Sequence, residues 1–201
     1  MSNYKWLLDA GHGGILNGKY TTAPAKMFKF PDGAEVYEGL INRQITSKVV
    51  AMIMLDGIDF GLVYDEHIDT PLAERVSIAN RIYAKNKKCI YLSIHSNAGH
   101  GNGVEVYTSP GQTSSDIVAE IFCKEYKTLP FPFRPGLGDG DLDKEEKFYV
   151  LVNTKCPALL VENLFFDERT QADFLISEVG QMAIANVIYS AIKKCEKTKP
   201  I

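Results

Sequence analysis

The sequence has no run of about 18 apolar residues that could span a bilayer, and its opening, Met1-Ser2-Asn3-Tyr4-Lys5-Trp6, is no charged-then-apolar export segment. The expectation is synthesis in the cytoplasm, with no membrane partner. No cluster of Lys and Arg is longer than a pair and the net charge is −3, so the chain carries no electrostatic footprint for nucleic acid or an anionic lipid surface. A polymer recognised through uncharged groups stays open. The four cysteines, Cys89, Cys123, Cys156 and Cys195, lie far apart without a CxxC pair, so they read as reduced thiols rather than metal ligands. A Gly-x-Ser-x-Gly motif is missing and no cysteine adjoins a histidine, which removes the usual serine and thiol nucleophile signatures. What is present is 201 residues, 45% hydrophobic and 23% charged, enough for one well-buried core. A single domain over 1–201 is expected, with its core at about 4–195.

The chain turns on Leu7-Leu8-Asp9-Ala10-Gly11-His12-Gly13-Gly14, a buried strand opening into a glycine-rich turn that carries a histidine. A polar, irregular stretch over 15–34 follows, and loops of that length are often functional. Glu38 then stands at the mouth of a helix whose Ile41, Ile45, Val49 and Met52 recur at helical spacing. Residues 58–64 read as a short strand, and Thr70-Pro71 starts a helix to about Ala84. Cys89 to His95 is a second apolar strand ending in histidine. A strand over 103–107 precedes a helix from Thr113, with Ile117, Val118, Ile121 and Phe122 expected inward. The loop 127–147 contains Asp139-Gly140-Asp141-Leu142-Asp143, but Lys144 stands where a helix-loop-helix calcium site needs glycine, so the run reads as a solvated acidic loop. Ala158 to Val161 forms a last core strand ending at Glu162. A final helix over about 177–194 is expected to turn Val179, Met182, Val187, Ile188 and Ile192 inward.

Strands alternating with helices give a three-layer α/β domain: a twisted, mainly parallel or mixed sheet of about six strands, helices on both faces. Parallel neighbours would align His12, His95 and Glu162 along one edge, where such sheets bind ligands. With Glu38 added, His12, Glu38 and His95 match the donor set of a catalytic zinc, and Glu162 is left as a carboxylate able to move a proton. Each residue also has a plainer reading. His12 could be an idle turn residue, Glu38 could be exposed and merely complement the helix N-terminus, and His95 could be a neutral core histidine. Glu162 is harder to dismiss, because a carboxylate directly after Ala-Leu-Leu-Val needs a partner. His67 and His100 read as surface residues.

Taken together, Asp9-Ala10-Gly11-His12-Gly13-Gly14, Tyr37-Glu38-Gly39 with Asn42-Arg43, Arg75 with Ala79-Asn80, Ser93-Ile94-His95-Ser96-Asn97-Ala98, Gly103-Val104-Glu105-Val106 and Pro157-Ala158-Leu159-Leu160-Val161-Glu162-Asn163 resemble the zinc-dependent N-acetylmuramoyl-L-alanine amidases of the amidase-3 type. The resemblance runs from about Lys5 to Lys194. It implies a hydrolase acting on peptidoglycan at the amide between the lactyl group of N-acetylmuramic acid and L-alanine. By motif position His12, Glu38 and His95 are the zinc ligands and Glu162 the catalytic glutamate. Thr22-Ala23-Pro24-Ala25-Lys26 looks like a substrate loop of phage and prophage amidases, so Lys26 is expected to contact substrate, with Asn97 and Arg75 as further contacts. Ala10 stands in place of the family's usual proline, and 163–168 departs from its usual ending. No export signal and no wall-binding module is recognised, as expected of a phage-type lysis enzyme released when the membrane is breached or of a chain trimmed to its catalytic domain. The rival readings are a zinc peptidase of wall peptides and an inactive wall-binding module.

Overall fold

The computed structural model describes residues 2–136, 138 and 140–201. In chain order the elements are β1 (Lys5–Ala10), β2 (Ile15–Leu16), β3 (Lys19–Tyr20), β4 (Met27–Lys29), β5 (Glu35–Tyr37), α1 (Glu38–Leu55), β6 (Asp59–Leu62), α2 (Leu72–Lys85), β7 (Cys89–Asn97), β8 (Glu105–Thr108), α3 (Ser114–Tyr126), β9 (Lys144–Glu145), α4 (Tyr149–Asn153), β10 (Ala158–Phe165), α5 (Arg169–Ile176) and α6 (Glu178–Thr198). Six strands form one sheet in the order β6-β1-β7-β10-β8-β9. The first four run parallel, β8 is antiparallel to β10, and β9 follows β8. The mixed sheet expected from the sequence is therefore present.

Alternation along the strands sends side chains to two separate cores. Trp6, Leu8, Ile90, Leu92, Leu159 and Val161 meet the apolar faces of α1, α3, α5 and α6. Leu7, Tyr91, Ala158 and Leu160 face the opposite way, against Val76 and Ala79 of α2 and Val150 and Leu151 of α4. Helices thus cover both sides, as a parallel sheet with apolar faces requires. All four cysteines are buried and free. Among the described residues no single helix is long and apolar enough to cross a membrane.

Several expectations need correction. Ile117 is exposed on α3, where Val118, Ala119, Phe122 and Cys123 form the buried stripe. Val179 is 78% exposed and Met182 is also at the surface, because the inward stripe of α6 runs through Gly180, Gln181, Ile184, Ala185 and Ile188 and both side chains fall beside it. The stretch 15–34 is not irregular: β2 pairs with β3 and β4 with β5 in two small antiparallel ladders. Asn17 and Gly18, both at positive φ, form the two-residue turn between β2 and β3 that right-twisted hairpins favour. Of the acidic run 139–143, Asp139 lies outside the described residues, and Asp143 is buried rather than solvated.

The two ends of the chain meet at the edge of the sheet where β1 begins. Glu196 of α6 accepts hydrogen bonds from the Asn3 N–H (2.6 Å) and Trp6 Nε1 (3.0 Å). Tyr4 Oη donates to the Ile201 carbonyl at 2.6 Å.

Candidate functional site

The opposite edge holds the chemistry. The β1–β7 ladder continues one residue beyond β1, where the Gly11 N–H donates to the Ile94 carbonyl at 3.0 Å. A Cβ on Gly11 would stand 2.2 Å from the His95 ring, so only glycine lets the two histidine-bearing segments lie this close. His12 follows at φ 64°, in the left-handed region that non-glycine residues seldom occupy. Arg75 of α2 secures the turn, donating from Nη2 to the His12 carbonyl (2.9 Å) and from Nη1 to the Ala10 carbonyl (2.7 Å).

That placement corrects the reading of Arg75 as a substrate contact. Its side chain is 1% exposed, ion-paired to Asp9, and donates from Nε to the Thr70 carbonyl at 2.7 Å. Arg75 is a positioning residue beneath the site. Asp9 also accepts from Tyr91 (2.6 Å) and Ser93 (2.8 Å). Burial alone would raise the Asp9 carboxyl, but Arg75, Tyr91 and Ser93 outweigh it and hold the group below the usual carboxylate range.

The strand register supplies the next two groups. His95 on β7 lies opposite Glu162 on β10, and Glu162 in turn lies opposite Glu105 on β8. Asn163, whose Nδ2 donates to the His95 carbonyl (2.9 Å), and Leu164 at φ 61° mark an irregularity that shifts the register before pairing resumes at Phe165 opposite Asn97.

Glu38 begins α1 and enters the cluster from the side. It is 1% exposed, which overturns the plainer reading of an exposed carboxylate at a helix start. Its Oε1 lies 3.2 Å from His12 Nε2 and 3.1 Å from His95 Nδ1. Asn42 Nδ2 and the Ser96 N–H approach the same oxygen, each at 3.4 Å. Burial would raise Glu38, yet the two imidazoles prevail and hold it far below its ordinary value. Burial pushes His12 down, whereas in His95 the pull of Glu38 and Glu162 exceeds the burial effect and moves it up. Burial, reinforced by Glu38, drives Glu162 up to about 8.

The structure therefore brings His12, Glu38 and His95 together, with one ligand atom from each within 4.8 Å of the others. His12 Nε2, Glu38 Oε2 and Glu162 Oε2 are buried with no hydrogen-bond partner. Leaving such atoms unmet is costly. Two imidazole nitrogens and a carboxylate oxygen are a donor set that a divalent metal ion would satisfy, so these residues fit a metal.

Lys26 reaches the rim of this cluster, with Nζ 3.7 Å from Glu38 Oε2. Its carbonyl accepts from the Glu38 N–H at 3.0 Å, so the 22–26 loop and the start of α1 are coupled. Asn97 sits at the cleft edge, where Nδ2 donates to Glu105 Oε2 at 2.7 Å. Sequence reasoning missed Glu105 itself, a buried carboxylate that also receives Arg134 Nε (2.7 Å) and Lys144 Nζ. A signal existed, since Glu105 abuts a buried strand just as Glu162 does. Asn42 and Arg43 were also given no individual role. Asn42 bridges Glu38, Ser96 and the Gly11 carbonyl, while Arg43 donates to the carbonyls of Gly39, Asp65, Glu66 and Ile68. His100 is exposed, paired with Glu168, and His67 is a surface residue.

Comparison with known proteins agrees with this fold. The family model described as N-acetylmuramoyl-L-alanine amidase matches residues 7–194. The chain is 36% identical over 119 residues to the N-acetylmuramoyl-L-alanine amidase CwlM of Bacillus licheniformis, covering 56% of this chain and 43% of that protein. It is 29% identical over 180 residues to the endolysin of Bacillus phage SPP1, covering 87% of this chain and 59% of the endolysin. This chain thus spans about half the length of these two relatives. The crystal structure of the N-acetylmuramoyl-L-alanine amidase from Clostridium difficile 630 superposes with a TM-score of 0.81 at 21% identity, covering 99% of this chain and all of that one, a likeness of fold. With its family match running from the first strand into the last helix, the chain belongs to the amidase-3 family of N-acetylmuramoyl-L-alanine amidases.

Proposed function

We propose that residues 1–201 act as one catalytic domain that hydrolyses the amide joining the lactyl group of N-acetylmuramic acid to L-alanine in peptidoglycan, using zinc. The observation that carries this reading is the set of unmet buried atoms on His12, Glu38 and Glu162, gathered at one edge of the sheet. His12 through Nε2, His95 through Nδ1 and Glu38 would hold the ion, leaving a fourth position open. When bound, zinc supplies a Lewis acid and lowers the pKa of coordinated water from 15.7 to about 7.

The protein's own groups then divide the remaining work. Glu162, in register beside His95 and without a hydrogen-bond donor on Oε2, takes the proton from the attacking water. It returns that proton to the departing L-alanine nitrogen, so the amine leaves neutral. Asn42, Ser96 and Arg75 keep the ligands in place, because imidazole and carboxylate geometry depends on such outer contacts. Lys26 presents a cation at the rim and is assigned to an acidic or carbonyl group of the stem peptide, with Asn97 at the far side. A phage-like lysis role is the biological setting favoured by the relation to the SPP1 endolysin.

Mass spectrometry of digested sacculi tests the reading. New L-alanine amino termini alongside intact glycan strands, lost with chelator and restored by zinc, are expected. Cleavage within the stem or cross-bridge peptides would replace the amidase with a peptidase, and digestion indifferent to chelator would remove the metal.

A further inference from the structure

A second group of carboxylates lies away from this cleft, and the amidase reaction does not use it. Asp116 stands in the first turn of α3, and Asp141 and Asp143 lie on the segment entering β9. One oxygen from each falls within 4.8 Å of the other two. Asp143 is 1% exposed and Asp116 is 7% exposed.

Of the four oxygens of Asp116 and Asp143, ordinary structural roles account for two. Asp116 Oδ2 accepts from the Thr113 N–H in a capping box, and Asp143 Oδ2 accepts from Thr108 Oγ1 at 2.7 Å. The other oxygens, Asp116 Oδ1 and Asp143 Oδ1, are buried with no hydrogen-bond partner. The positive end of α3 favours one carboxylate in its first turn, but it does not explain a second from a distant loop. Basic residues that could neutralise the group are engaged elsewhere: Lys144 reaches Glu105, and Lys124 pairs with Glu120. Among the described residues neither Asp116 nor Asp143 has a Lys, Arg or His in ion-pair contact.

We propose that Asp116, Asp141 and Asp143 form a binding site for a hard divalent cation, calcium in preference to magnesium. The donors are all carboxylate oxygens, which suits a hard ion rather than zinc or copper. Two of them come from a loop, and adjustable loop ligands suit the irregular 6–8-oxygen shell of calcium better than the rigid octahedron of magnesium. The lysine at the sixth position rules out the helix-loop-helix type of site, and this one is built differently, by folding the loop against a helix start. The ion would tie the loop to α3 and, through Thr108, to β8. Lys144, next to Asp143, bonds Glu105, which lies in register with Glu162. The same ion therefore steadies one wall of the catalytic cleft without entering it.

Calorimetric titration of calcium chloride into the zinc-loaded protein tests this. One saturable site beyond the catalytic metal is expected, with Kd of about 0.1–1 mM as in extracellular modules, and a rise in Tm that saturates with it. Magnesium should bind at least about tenfold more weakly. Asp143→Asn should abolish uptake. Asp141→Asn, at a partly exposed position, should weaken it at least about tenfold even if the Asp143 variant fails to fold. His95→Ala, which removes a catalytic ligand, should leave calcium uptake unchanged. Absence of saturable uptake up to about 10 mM calcium, the result if the carboxyls share a proton instead, overturns the proposal. So does uptake that survives Asp141→Asn or is lost in His95→Ala.

Discussion

Two buried polar groups lie side by side at the functional edge of the sheet, and only one of them is complete. Around Asp9, one oxygen is taken by Arg75 and the other by Tyr91 and Ser93, while Arg75 also caps the carbonyls of Ala10 and His12. Around Glu38, one oxygen is crowded by two imidazoles, and the second oxygen and His12 Nε2 have no hydrogen-bond partner. The closed network fixes the shape of the turn; the open one leaves buried polar atoms unmet. Burial would raise the carboxyl in each, but Arg75 with its neighbouring hydroxyls at Asp9 and the two imidazoles at Glu38 outweigh it, whereas in Glu162 beside them burial wins. The comparison teaches that incompleteness, rather than polarity or burial alone, separates a candidate site from the network that supports it.

Substitutions on either side of this divide test it. The largest effect is expected from Glu162→Gln, which should reduce sacculus hydrolysis by about 10²–10⁴-fold while metal content and Tm stay at wild-type values. Turbidity clearance and elemental analysis check this, and unimpaired clearance would break the division. Arg75→Met should instead cost about 3–5 kcal/mol in urea unfolding, because it leaves Asp9 charged and alone.

The same variant should reverse a pH trend. In the wild type the Asp9 carboxyl is depressed in the folded state, so its contribution is present above the unfolded pKa near 3.8 and fades as pH falls through the folded value. Without Arg75 burial dominates and raises that group, so acidification from neutral pH should recover stability rather than remove it. Unfolding midpoints over a pH series would show the change of slope.

Tyr91→Phe deletes one donor to the same carboxylate and should cost about 1.5–3 kcal/mol, with metal affinity little altered. A loss of metal without a loss of stability would blur the two groups into one. Smallest of all, Lys26→Ala should raise KM by a few-fold, on the order of 1 kcal/mol for one partly exposed charge, and leave kcat near wild type. An effect on kcat instead would move Lys26 into the open cluster.

The sequence showed the candidate cluster more clearly than its support. His12, His95 and Glu162 could be aligned because each follows an apolar strand, and parallel strands bring such ends together. Burial of Glu38 could not be read from its position at a helix start, where an exposed carboxylate is equally natural; only its motif pointed inward. Arg75 was read as a substrate contact from its motif alone, because nothing local in the sequence ties it to its partner Asp9, 66 residues away. The same limit applies to Ile117 and Val179, which fit a helical period but sit one step off the buried stripe. Asp143 illustrates the reverse error, since a polar run gives no hint that a single member is folded under. The hairpin at Asn17-Gly18 was legible from that pair and was overlooked, while short α5 offered too few turns for a period to stand out.

The meeting of the two chain ends through Glu196 has a practical side. Because β1 starts there and ends two residues before His12, a tether fused to either end would leave from the end of that strand opposite the reactive edge. Grafting a targeting module to this amidase can therefore be planned at front or back alike, with linker length as the variable and access to the murein left unobstructed.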